Sequence, residues 1–172
     1  MHLLSLQSMQ QKNREILVAI LLGGMIAATL DIGAASLITG RSPVAIARVI
    51  AGGLLGRAAF SGGIGTAILG VALQEFMGVL IAAIYVVLLK AVPGLLRRWI
   101  PSGLVYGVII FFVMNWVVLP LSAFKASAPH FTAVKFATNL APMLVFGLIV
   151  AFFARRLSPS APAAQDQAVT AA

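Results

Sequence analysis

Between Ala58 and Leu89 the chain carries one charged residue, Glu75, near the middle of a stretch that is otherwise apolar, small or uncharged. A run that long with a single charge is a bilayer-spanning helix and not a helix of a soluble core. A carboxylate near the midplane is costly, so Glu75 is expected to face protein or trapped water and to avoid lipid. Topology is therefore the strong inference from this sequence, and activity has to be argued from a handful of polar positions.

Composition agrees with a membrane class. The 172 residues are 61% hydrophobic and 9% charged, with a mean hydropathy of +1.06, whereas soluble domains carry charge on roughly a quarter of their residues. The length supplies four spans of about 20 residues with short connections and leaves no room for a second domain. The net charge of +8 does not point to nucleic acid. Its basic residues sit in small groups between apolar runs (Lys12 and Arg14; Arg41, Arg48 and Arg57; Lys90, Arg97 and Arg98), the pattern of loops beside anionic headgroups. The chain has no cysteine, which excludes disulfides, thiol nucleophiles and thiolate metal sites.

Residues 1–15 read as a cytoplasmic lead-in. The run from Ile16 to Thr39 has a basic flank like a signal peptide, but no small-residue cleavage site ends it, so it is taken as an uncleaved first span. Gly24, Ala27, Ala28, Asp31, Ala34 and Ala35 recur in that span at three- and four-residue intervals and share one face. Small residues there let another helix approach, which places Asp31 in a helix–helix interface. Asp31 is then either a structural carboxylate, bonded to a neighbouring helix or paired with an arginine such as Arg48 or Arg57, or a transport or catalytic group.

Ser42 followed by Pro43 is an N-cap and first-turn pair, so a short helix is predicted from Pro43, breaking at Gly52 and Gly53. Ten residues cannot cross about 30 Å of hydrocarbon, and a re-entrant or interfacial helix over 43–52 is expected. The nearby glycines do not form a phosphate loop, because no strand precedes them and no Gly-Lys-Ser/Thr follows.

The second span, 63–89, carries Thr66, Gly70, Gln74, Gly78 and Ala82 at intervals of four as a packing stripe, with Glu75 at its edge and Tyr85 suited to an interface position. Lys90, Pro93, Gly94, Arg97, Arg98 and Trp99 form a basic connection. The third span, 102–122, contains Tyr106, Asn115 and Trp116; the fourth, 134–154, contains Asn139 and Pro142. His130, in the connection between them, reads as solvated, since no second ligand lies at metal spacing. Residues 157–172 read as a disordered tail.

Four crossings put both termini and the connection after the second span on one side, which holds seven Lys and Arg against five on the other, so both termini are expected in the cytoplasm. Asp31, Asn115 and Asn139 then fall at similar depth, with Glu75 somewhat deeper. Such groups form a candidate buried polar layer, read either as interhelical hydrogen bonding or as a proton or small-solute relay. Catalysis finds no support: there is no Ser-His-Asp set, no His-Glu-x-x-His and no paired aspartate motif. No cofactor or metal is expected.

Asp31-Ile32-Gly33, Arg41-Ser42-Pro43, Gly53-Leu54-Leu55-Gly56, Tyr106-Gly107-Val108 and Met114-Asn115-Trp116-Val117-Val118-Leu119-Pro120 resemble the uncharacterised YagU-like small multi-pass inner-membrane proteins of bacteria. The resemblance covers roughly Ile16 to Arg156. It implies an inner-membrane helical bundle and brings no established activity. Where that pattern leads one to expect a histidine this chain has Gln74, and Glu75 stands at an expected apolar position, so a histidine-based relay is not carried over.

The expected fold is thus all-α: an integral membrane four-helix bundle with a short re-entrant or interfacial helix between spans one and two. Its partners are the lipid bilayer and a second copy or another membrane protein, without nucleic acid. Two functional readings follow, a non-enzymatic structural or accessory membrane component and a small permease or proton-coupled carrier using Asp31 and Glu75.

Overall fold

A computed structural model of the chain describes residues 2–92, 94–125 and 131–157, and every regular element in it is helical. Pro93, His130 and the expected tail from 158 onward lie outside the described residues. Helix α1 is His2–Thr39, α2 is Pro43–Leu55 and continues as a 3-10 turn over Gly56–Phe60, and α3 is Gly63–Ala91. A single turn, α4 (Gly94–Arg97), precedes α5 (Trp99–Val113), which passes through a π-helical turn (Met114–Val118) into α6 (Leu119–Leu121); α7 is Ala133–Leu157.

Four of these runs, α1, α3, α5 with its extension through α6, and α7, are long and apolar enough to cross a membrane, and neighbours among them pack antiparallel. Gly24 abuts Gly78 and Val79, and Asp31 meets Gln74, so α1 and α3 run antiparallel. Tyr85 reaches Ser102 and Tyr106 reaches Ile81, which makes α3 antiparallel to α5. Gly103 faces Gly147 and Ala151 while Gly107 faces Met143, so α5 is antiparallel to α7. The result is an up-down-up-down bundle. Its core gathers Ala27, Ala28, Tyr85, Tyr106, Phe146 and Val150 from all four crossing helices.

The segment Pro43–Phe60 is 18 residues long and apolar enough to cross by length and composition. The antiparallel pairing of α1 with α3 shows that it does not. A crossing between those helices would make them parallel, whereas the end of α1 and the start of α3 lie at the same end of the bundle. Ala47 packs on Gly70, Gly53 O accepts from Ala123 N at 2.8 Å, and Thr66 Oγ1 donates to Ala59 O at 3.0 Å. The two contacts made with α3, at Thr66 and Gly70, fall within its first two turns or so, about 10 Å of its length. The segment is therefore a re-entrant element. It starts at Pro43 with Ser42 Oγ accepting from Ala45 N. It runs past the expected break at Gly52 and Gly53, because Gly52 sits where a side chain would collide with the Phe124 ring and Gly53 supplies the carbonyl for Ala123, so both glycines serve packing and neither stops the helix. The turn comes instead at Gly56, with φ of +62°, the left-handed region that suits glycine.

Two further boundaries differ from expectation. The lead-in is part of α1: no glycine or proline occurs between His2 and Gly23, Gln and the charged residues there favour helix, and Gln11 donates to Glu15 one turn on. A 38-residue helix is about 57 Å long, so its first turns, exposed at Gln7 and from Gln10 to Arg14, extend beyond the hydrocarbon. The third span begins at Trp99, since Pro101 is tolerated in a first turn. Near its other end Pro120 has no N–H for Trp116 O, and the helix widens so that Leu119 N bonds Met114 O, five residues back.

Candidate functional site

Close helix contact needs small residues, and α1 and α3 cross where Gly24 meets Gly78: a Cβ built on Gly24 would stand 2.7 Å from Gly78 O and from Val79 N. With the backbones that near, polar side chains on adjacent turns reach across the interface. Gln74 Nε2 donates to Asp31 Oδ2 at 2.9 Å, and the Thr29 hydroxyl donates to Glu75 Oε1 at 2.9 Å. These bonds run in opposite senses, an α3 amide to an α1 acid and an α1 hydroxyl to an α3 acid. Asp31, Gln74 and Glu75 are all half-buried. Gln74 and Glu75 lie about 17 Å along α3 from Gly63, close to the middle of a helix that must traverse about 30 Å of hydrocarbon.

The asparagines are not hydrogen-bonded into this pair. Asn115 Nδ2 donates to Phe111 O at 2.8 Å and Asn139 Nδ2 donates to Lys135 O at 2.7 Å, each to the carbonyl one turn back on its own helix. Similar depth did not imply convergence, because an asparagine in a helix satisfies itself locally when that carbonyl is within reach. The arginines lie elsewhere too. Arg48 Nε donates to Gly63 O at 3.1 Å, and Arg57 belongs to the turn that leads into Gly63. Both are thus at the start of α3, several turns from Glu75, and the acids meet neutral partners in place of these cations.

Two polar atoms in the same part of the bundle are buried without a hydrogen-bond partner, Glu75 Oε2 and Ser36 Oγ. On its other flank Asp31 lines a cleft of about 360 Å³ between α1 and α7, together with Leu30, Ile38, Thr138, Pro142 and Val145. Leu30, Ile38 and Val145 are exposed, so the cleft opens sideways into what is the lipid phase for a spanning helix. Pro142, inside α7, has no N–H to give to Thr138 O, so that carbonyl lacks its intrahelical donor at the wall of the cleft.

A second polar cluster was not anticipated. Tyr85 is 2% exposed, with its hydroxyl 2.7 Å from Ser102 Oγ. The Tyr106 hydroxyl donates to Ile81 O at 2.7 Å, and the two rings lie 4.9 Å apart. Ser102 and Tyr106 stand one turn apart on α5, a spacing that in the sequence would have signalled one polar face. Thr29 was missed as well, because its spacing puts it beside the small-residue stripe and not on it.

Compared with models of known protein families, with curated proteins and with solved structures, the chain matches none.

Proposed function

We propose that the chain is a non-enzymatic, structural or accessory component of a bacterial inner membrane, with both termini cytoplasmic, in which Asp31 and Glu75 serve helix association. The observation that carries this reading is reciprocal bonding: each acid accepts from a neutral side chain of the facing helix. An interhelical bond of this kind contributes on average about 0.6 kcal/mol in a bilayer and also fixes which helix faces meet. The inner-membrane assignment and the kinship with YagU-like proteins rest on the sequence motifs. The orientation rests on the excess of Lys and Arg at the end that carries Lys12, Lys90, Arg97 and Arg155.

A second reading, a proton-coupled carrier, draws on the cleft beside Asp31 and on the unpartnered Glu75 Oε2. The two separate in proteoliposomes carrying an internal pH dye. The structural role predicts wild-type proton flux equal to that of empty vesicles and unchanged in Asp31→Asn and Glu75→Gln, both of which keep an acceptor oxygen. Flux above background that disappears in Asp31→Asn would replace the structural role with the carrier.

A further inference from the structure

Among the four long helices α1 packs against α3 and α7, and α5 packs against α7, while α3 meets α5 through side chains. Close helix packing holds the α1/α3, α1/α7 and α5/α7 seams, with backbone against backbone in the first and last, while α3 and α5 approach each other least closely. Gly24 and Gly78 close the α1/α3 seam and Gly103, Gly107 and Gly147 close α5/α7, while at α1/α7 Gly23 makes room for the Phe153 side chain. The α3/α5 seam is bridged by the long side chains of Tyr85 and Tyr106.

A bridge of two rings leaves space outside it. A groove of about 330 Å³ runs along this seam, with the tyrosines as its floor, Leu88, Val105 and Ile109 among its walls, and Arg98 at its mouth. Leu88, Val105 and Ile109 are 41%, 59% and 50% exposed, so the slot opens to the acyl-chain phase. Val105 and Ile109 are one turn apart, which aligns the slot with the helix axis. From Arg98 to Ile109 is about 16 Å along α5, half the hydrocarbon thickness and hence the reach of one leaflet's acyl chain.

Charge selects the occupant. Arg98 is exposed and lies in the connection that also holds Lys90 and Arg97, and no acid occurs between Glu75, near the midplane, and Asp166. Glu15, on α1 at the same end of the bundle, is bonded to Gln11. At the end of α7, by contrast, the cations lie over aromatic rings, Arg155 at 5.6 Å from the Trp99 centroid and Arg156 at 5.2 Å from that of Phe152. A guanidinium matches a phosphate in charge and geometry, and basic pockets between spanning helices at headgroup level are anionic-lipid sites.

We propose that the α3/α5 groove binds one anionic phospholipid, its phosphate on Arg98 and one acyl chain laid along Leu88, Val105 and Ile109 over the tyrosine floor. The site is independent of the role assigned to Asp31 and Glu75.

The test is native mass spectrometry of the full chain extracted from vesicles containing equal phosphatidylglycerol and phosphatidylcholine. One retained phosphatidylglycerol per protein is expected, at several-fold excess over phosphatidylcholine. Arg98→Gln should lower that retention at least fivefold, as should Val105→Trp, which fills the slot from an exposed position. Arg97→Gln removes the same charge one residue away, outside the groove, and should retain lipid as the wild type does. Equal retention of the two lipids overturns the site. So does a loss in Arg97→Gln equal to that in Arg98→Gln, which would mean diffuse attraction by the basic end. Circular dichroism of each variant, compared with wild type, removes misfolding as a cause of loss.

Discussion

Helix α5 meets its two neighbours in opposite ways. Toward α7 it presents Gly103 and Gly107, and the backbones touch; toward α3 it presents Ser102 and Tyr106, and side chains span the distance. The two sets are offset by a single residue, about 100° around the helix. The first seam draws its strength from close van der Waals contact and tolerates no added atom. The second is held by two hydrogen bonds and a ring pair, keeps its spacing because the tyrosines are rigid and buried, and leaves a slot beside them. In a bilayer, where lipid competes equally for apolar surface, a seam is closed either by removing side chains or by giving them polar tips.

Substitutions grade this contrast. Gly107→Leu should have the largest effect, since its Cβ would stand 2.8 Å from Leu144 Cα and 3.0 Å from the Met143 carbonyl carbon, both backbone atoms that cannot swing aside. A loss of about 3 kcal/mol or more is expected, read as unfolding at lower denaturant or as loss of the monodisperse species on size exclusion. Tyr85→Phe removes one hydroxyl but leaves Ser102 Oγ in reach of Leu95 O and Trp99 O, and should cost about 0.6 kcal/mol in the same unfolding assay. Gly33→Ala should be smallest, within about 1 kcal/mol of wild type and toward stabilisation, because nothing lies within 4 Å of its added Cβ. If Tyr85→Phe matched Gly107→Leu, the two seams would not differ in kind.

The sequence was most informative where one-dimensional signals coincide with physical requirements. Hydropathy marked all four crossings, Ser42-Pro43 marked the start of α2, and the small-residue stripes marked the α1/α3 contact. It was silent where outcomes depend on what lies opposite. Gly52 and Gly53 resemble a helix break, yet with Phe124 and Ala123 packed against them they continue the helix. Tyr85 near a span end gives no sign of its partner, which is Ser102 on the facing helix across the wide α3/α5 spacing. Asn115 and Asn139 share a depth without sharing a partner, because each finds a carbonyl on its own helix. Asp31 and Glu75 were legible as interface residues. Their donors, Gln74 and Thr29, required the register between two helices that only the close crossing of Gly24 and Gly78 sets.

The most direct check exploits the absence of native cysteine: single cysteines at Arg41, Ser61 and Ala91, all exposed positions, probed in sealed vesicles with a membrane-impermeant maleimide. A re-entrant α2 predicts that Arg41→Cys and Ser61→Cys are labelled from one face and Ala91→Cys from the other. Labelling of Arg41→Cys and Ser61→Cys from opposite faces would make Pro43–Phe60 a fifth crossing and contradict the antiparallel pairing of α1 with α3.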